Sequence, residues 1–160
     1  MEWKAHLNLM RIAIKSKKIY LSSENKIQKL TKKILTKLKL GDIIFLYGEI
    51  GVGKTTFVRY LVNELQKKNK IKLSQVTSPT FNLSNEYKIN NFKIIHYDLF
   101  RLESAKELKN LNLFEDRSKA ITLVEWPQLI EKRLKNVKKI IFNYENNFQK
   151  RSVQIKGLKI

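Results

Sequence analysis

Two periods of apolar residues alternate along this 160-residue chain. In ENKIQKLTKKILTKL (24–38), Ile27, Leu30, Ile34 and Leu38 recur at spacings of three and four, and lysines fill the opposite side. That pattern predicts an amphipathic helix with one buried stripe. Ser22 or Ser23 stands where an N-cap belongs, and Gly41-Asp42 ends the pattern. The run IIFLY (43–47) is apolar throughout, as expected of a strand covered on both faces. A second helix is predicted beyond it, with Phe57, Leu61 and Leu65 on one face, and Val58 and Val62 sharing another.

Strand-like runs dominate the rest. KKIYLS (17–22) reads as a short strand. FNLSNEYKI and FKIIHYDLF flank Asn90-Asn91, and KKIIFNYE and RSVQIKGL flank Asn146-Asn147, which predicts two hairpins. AITLVEW (120–126) reads as another buried strand, SAKELKNL (104–111) as a short helix, and KKNKIK (67–72) as a solvated helix end or loop. Neither an internal repeat nor a Gly/Ser/Pro linker divides the chain. The sum is an α/β domain: a helix–strand–helix core with hairpins.

The length predicts one domain, placed at residues 17–160. Residues 1–16 are set apart as an extension. They are basic and mildly amphipathic, too interrupted for a secretory signal. A transit peptide fits, and so does a translation start at Met10. No apolar run approaches the ~18 residues of a membrane span, so no membrane association is expected.

Charge changes the picture only partly. The chain has 33 Lys+Arg against 14 Asp+Glu, a net +19 that favours anionic partners, nucleic acid first. The excess is mostly lysine, with much Ile and Asn, and AT-rich coding yields the same balance. Cysteine is absent, which excludes a disulfide framework and a thiolate metal site and fits a reducing compartment such as the cytoplasm.

The candidate chemistry begins in GEIGVGKTT. Gly48, Gly53, Lys54 and Thr55 satisfy G-x-x-x-x-G-K-[ST], with Gly51 added, and three of the chain's five glycines lie here. The stretch Gly48, Glu49, Ile50, Gly51, Val52, Gly53 follows a buried strand and opens a helix, as a phosphate-binding loop must. Glycines let the backbone wrap phosphate, and the helix N-terminus adds positive potential. Lys54 is placed for the β- and γ-phosphates and Thr55 for Mg²⁺. The expected fold is a P-loop NTPase-like three-layer sandwich with a mixed sheet and hairpin extensions.

Hydrolysis needs acids as well. Glu125 ends the apolar strand ITLVE, and Asp98 ends KIIHYD. A carboxylate at the strand's edge paired with a lysine is the alternative for Glu125, and a turn-capping aspartate for Asp98. His96 shares a strand face with Asp98 and reads as structural. Ser78, Pro79 and Thr80 form either a switch loop reaching the γ-phosphate or a plain turn. Trp126 is either core or a wall beside the nucleotide, with core the preferred reading.

Taken in order, GEIGVGKTTFVR, SPTFNLSNEY, HYDLFRL and LVEWPQ resemble the TsaE (YjeE) family, bacterial ATPases required for tRNA threonylcarbamoyladenosine synthesis. The resemblance runs from about residue 17 to the end. It implies ATP and Mg²⁺ as ligands, Lys54 on phosphates, Thr55 and Glu125 on Mg²⁺, Thr56 in nucleotide binding or catalysis, and Asp98 in the active site. It also implies Trp126 near the nucleotide. Phe100 departs from the family, where tyrosine is common. The implied partners are TsaD and TsaB, which transfer the threonylcarbamoyl group to adenosine 37 of tRNAs reading codons that begin with A, with tRNA reached through that complex. Two rivals remain, a small-molecule kinase and a nucleic-acid-binding protein with a non-catalytic nucleotide site. The six arginines and the lack of a lid segment weigh against the kinase. GTP is disfavoured, because NKIQ and NKIK lack the aspartate of an NKxD motif.

Overall fold

In the computed structural model, which describes residues 17–111, 113–114, 117–130, 134 and 136–160, Ser23 starts the first helix. It is extended (φ −157°, ψ 159°), and its hydroxyl accepts the Lys26 N–H at 3.4 Å. Helix α1 (Glu24–Leu35) buries Ile27, Leu30 and Ile34. Leu38 lies past its end, yet packs against the same core. The proposed extension 1–16 falls outside the described residues.

Seven strands form one mixed sheet: β1 (Ile19–Tyr20), β2 (Ile43–Tyr47), β3 (Ser84–Ile89), β4 (Phe92–Asp98), β5 (Ala120–Glu125), β6 (Lys138–Glu145) and β7 (Lys150–Lys156), in the order β1-β7-β6-β2-β5-β4-β3. The four central strands β6, β2, β5 and β4 are parallel. Antiparallel pairings flank them: β4 with β3, and β6 with β7 and then β1. Both predicted hairpins form. Asn90 turns the first at φ 49°, and Asn146 and Asn147 turn the second at φ 48° and 51°. Asparagine tolerates this left-handed region better than most residues.

The uninterrupted apolar run of β2 has a direct cause. Ile44 and Leu46 join the core beneath α1 and α2 (Lys54–Lys68), while Ile43 and Phe45 join a second core on the other face. Both helices cover the first face. Among the described residues, single 3₁₀ turns cover the second, at Glu107–Leu111, Arg117–Lys119 and Pro127–Leu129. Three layers are present, the third one thin. The helix expected over 104–111 is this tighter turn. Glu107 accepts the Ser104 N–H and hydroxyl at 2.8 and 3.0 Å, but so short a segment gains little from α-helical propagation. No helix among the described residues is long and apolar enough to cross a membrane.

Phe57 of α2 is fully buried, with its ring 5.9 Å from that of Phe142 on β6. Phe57→Ala should cost about 3–5 kcal/mol, read as a lower urea midpoint at unchanged slope. A loss below about 1 kcal/mol would contradict this account of the core.

Candidate nucleotide site

All four parallel strands end on one edge, where ligands of open α/β sheets bind. From β2 the chain turns through Gly48–Gly53 directly into α2. Gly48 has φ 140°, and a Cβ there would stand 2.7 Å from the Phe142 carbonyl oxygen and 2.8 Å from Val52 Cγ1. The loop therefore closes over β6 only without a side chain. Gly53 is the N-cap of α2 at φ 117° and offers no side-chain cap. The first N–H groups of α2 lack intrahelical partners and are available to an anion.

Lys54, the first residue of α2, is buried. Its ammonium donates to the Gly48 carbonyl at 2.8 Å and the Glu49 carbonyl at 2.9 Å, and lies 4.4 Å from the centre of the Trp126 ring. Burial holds its pKa below the usual lysine value. The negative charges of Glu125, Asp98 and Glu49 act in the opposite direction without prevailing.

The two acids converge because Asp98 and Glu125 stand side by side in the β4–β5 register. Strand alternation puts both on the sheet face that α2 covers. Glu125 Oε1 accepts the Thr55 hydroxyl at 2.8 Å and meets His96 Nε2 at 2.9 Å. Asp98 Oδ1 accepts the Phe100 N–H at 3.0 Å. Its Oδ2 accepts the hydroxyls of Ser78 and, at 3.0 Å, Thr80. Asp98 thus caps a turn and anchors the 78–80 segment at once.

These groups enclose a cleft of about 350 Å³. Of the residues expected at the site, Ile50, Gly51, Gly53, Lys54, Thr55, Thr56, Ser78, Thr80, Asp98, Glu125 and Trp126 line it. Gly48, Glu49, Val52 and Pro79 do not. Gly48 packs on β6, Glu49 contributes its carbonyl to Lys54, and Val52 turns into the core. Pro79 is buried, and its carbonyl accepts the Leu83 N–H. Trp126 fills both places that the pattern leaves open: it stands in the cleft wall, as the family resemblance implies, and packs against the second core. It adopts φ 56°, an uncommon left-handed conformation for a bulky side chain, as the chain leaves β5 for the turn at Pro127.

Three contributors escaped the sequence reading. Phe100, noted only as a family departure, lines the cleft with its ring 4.8 Å from that of Trp126. The Tyr144 hydroxyl, beyond β2 in the sheet, donates to the Ile50 carbonyl at 3.1 Å and steadies the loop. His96 touches Glu125 on the neighbouring strand. Its alternation with Asp98 was a visible signal, but its partner depends on register.

The depressed Lys54 pKa carries a signed expectation. Between its folded value and the ordinary 10.5, the unfolded chain binds more protons at this site, so stability rises with pH there. Relative to Lys54→Met, the wild-type protein should gain stability as pH climbs through this alkaline window, measured by paired urea titrations. A gap that is flat or moves the other way would show that the ammonium is not disfavoured by burial.

Comparison with known proteins agrees with this architecture. The family model described as threonylcarbamoyl adenosine biosynthesis protein TsaE matches residues 21–153. The tRNA threonylcarbamoyladenosine biosynthesis protein TsaE of Rickettsia conorii is 37% identical over 83% of this chain and 82% of its own. Its namesake in Aquifex aeolicus is 39% identical over 70% of this chain and 77% of its own. In fold, the crystal structure of Bacillus subtilis YdiB superposes with a TM-score of 0.65 over 88% of this chain and 84% of that one, at 22% identity. A match over most of the chain, with relatives well above a third identical, establishes that the protein belongs to the TsaE family of tRNA threonylcarbamoyladenosine biosynthesis proteins.

Proposed function

We propose that this protein is a slow, cytoplasmic Mg²⁺-dependent ATPase that binds the TsaD–TsaB pair and resets it between rounds of tRNA threonylcarbamoylation at adenosine 37. The observation that carries the reading is the hydrogen bond between Thr55 and Glu125 at the mouth of the glycine loop. A hydroxyl that gives its proton to a carboxylate keeps its lone pairs free for a cation.

The donor set fits Mg²⁺. Thr55 and Glu125 offer only oxygen, the ligand type that hard cations take. Among the described residues no group of three or more His, Cys, Asp or Glu forms a metal cage. That also suits Mg²⁺, which usually takes few protein ligands and completes its shell with phosphate oxygens and water. Bound there, the ion would neutralise charge on the transferring phosphoryl group.

The remaining roles belong to the chain itself. Loop and α2 N–H groups hold the phosphates. Lys54 exchanges two carbonyl partners for β- and γ-phosphate oxygens, a charge-assisted contact that compensates its burial. Asp98 holds the Ser78 and Thr80 hydroxyls on the cleft wall, where they orient the γ-phosphate or the attacking water. Trp126 and Phe100 exclude solvent from one side.

Glu125→Gln should lower phosphate release at least about 100-fold while ATP affinity changes less than about threefold, because the loop backbone supplies most ground-state binding. Addition of TsaD–TsaB should accelerate wild-type release. A parental rate in Glu125→Gln would make the acid structural, and fast turnover indifferent to TsaD–TsaB would favour an independent enzyme.

A further inference from the structure

His96 is fully buried at the centre of β4, and only one of its nitrogens has a partner. Nε2 lies 2.9 Å from Glu125 Oε1, while Nδ1 is buried without a hydrogen bond among the described residues. A histidine retained for packing alone would gain by pairing both nitrogens or by being replaced with an apolar residue. This one pairs only the nitrogen that faces the acid. An ionised carboxylate can only accept, so the imidazole carries its proton on Nε2 and donates it.

The consequence lies in how Glu125 divides its oxygens. Oε1 receives two donors, the Thr55 hydroxyl at 2.8 Å and His96 Nε2 at 2.9 Å. Oε2 has no hydrogen-bond partner among the described residues, and Glu125 lines the cleft. Two donors from different elements, α2 and β4, fix the plane of the carboxylate. A glutamate with three free torsions would otherwise pay entropy to present an oxygen on demand.

We propose that His96 is a positioning residue. By holding Glu125 through Oε1, it keeps Oε2 available to a divalent cation and so sets how tightly the nucleotide-loaded site holds that cation. The inference rests on the nucleotide reading of the cleft. Partners that orient a metal ligand from behind typically change metal affinity by 10- to 100-fold when removed.

The test needs no turnover. The affinity of a fluorescent ADP analogue is measured with EDTA and over a Mg²⁺ titration, for wild type, His96→Leu and His96→Gln. Glutamine carries an N–H to about the same reach as Nε2. We expect His96→Leu to raise the Mg²⁺ concentration for half-maximal enhancement about tenfold, leave the EDTA affinity within about twofold, and be rescued by glutamine to within about threefold of wild type. Should the leucine variant fail to fold by circular dichroism, His96→Asn, too short to reach Glu125, replaces it with the same expectation. A Mg²⁺ requirement within twofold of wild type, or equal shifts in the leucine (or asparagine) and glutamine variants, would overturn the proposal and leave the nucleotide reading intact. Wild-type binding that ignores Mg²⁺ would overturn the proposal alone, whereas a wild type that fails to bind the analogue with or without Mg²⁺ would overturn both.

Discussion

A buried ammonium hydrogen-bonded, among the described residues, to two backbone carbonyls is the constraint around which this fold is arranged. Lys54 sits at the start of α2, out of water, bonded to Gly48 and Glu49 backbone oxygens and set against the Trp126 ring. Desolvating a charge is costly unless something compensates. The carbonyls compensate in part, and the persistent depression of the lysine pKa shows the remainder. A polyanion in the cleft would supply it. The glycine conformations at 48 and 53, the approach of the loop to Phe142, and the Tyr144 contact to Ile50 all keep this ammonium and the open N–H groups of α2 facing one small volume.

The parallel centre of the sheet supplies the second half of the site. Parallel pairing brings the ends of β2, β4 and β5 to one edge, and the register aligns Asp98 with Glu125. Their surroundings then separate them. Glu125 is held through Oε1 by Thr55 and His96, with no hydrogen bond to Oε2 among the described residues, whereas Asp98 commits both oxygens to the 78–80 segment and the Phe100 N–H. Neighbouring acids of the same charge thus sit in different surroundings, Glu125 held between α2 and β4 and Asp98 fastened to the 78–80 segment.

What could be read from the chain was whatever local chemistry dictates. The stripe of α1, the Ser23 cap, the doubly covered β2, the glycine loop and both Asn-Asn hairpins are patterns within a few residues of themselves, and each appears where it was expected. The 104–111 segment formed a tighter helix than anticipated, because eight residues cannot declare their hydrogen-bonding period. Contacts that depend on non-local register were hidden. His96 meets Glu125 only because β4 lies beside β5 in one register, and Tyr144 reaches Ile50 only because β6 lies beside β2. The pattern alone leaves Trp126 between core and cleft wall, because its left-handed backbone, which turns the ring toward Lys54, leaves no mark in composition or spacing; the family resemblance is what points it to the site.

The central claim is that backbone N–H groups between Gly51 and Thr56 receive phosphate, and amide hydrogen exchange resolved along the chain, with and without ATP and Mg²⁺, addresses it most directly. The account predicts slowed exchange concentrated in residues 51–56 and 78–80, with the β3–β4 turn at Asn90 unchanged. Uniform slowing across the chain, or protection on a lysine-rich face away from the loop, would contradict it.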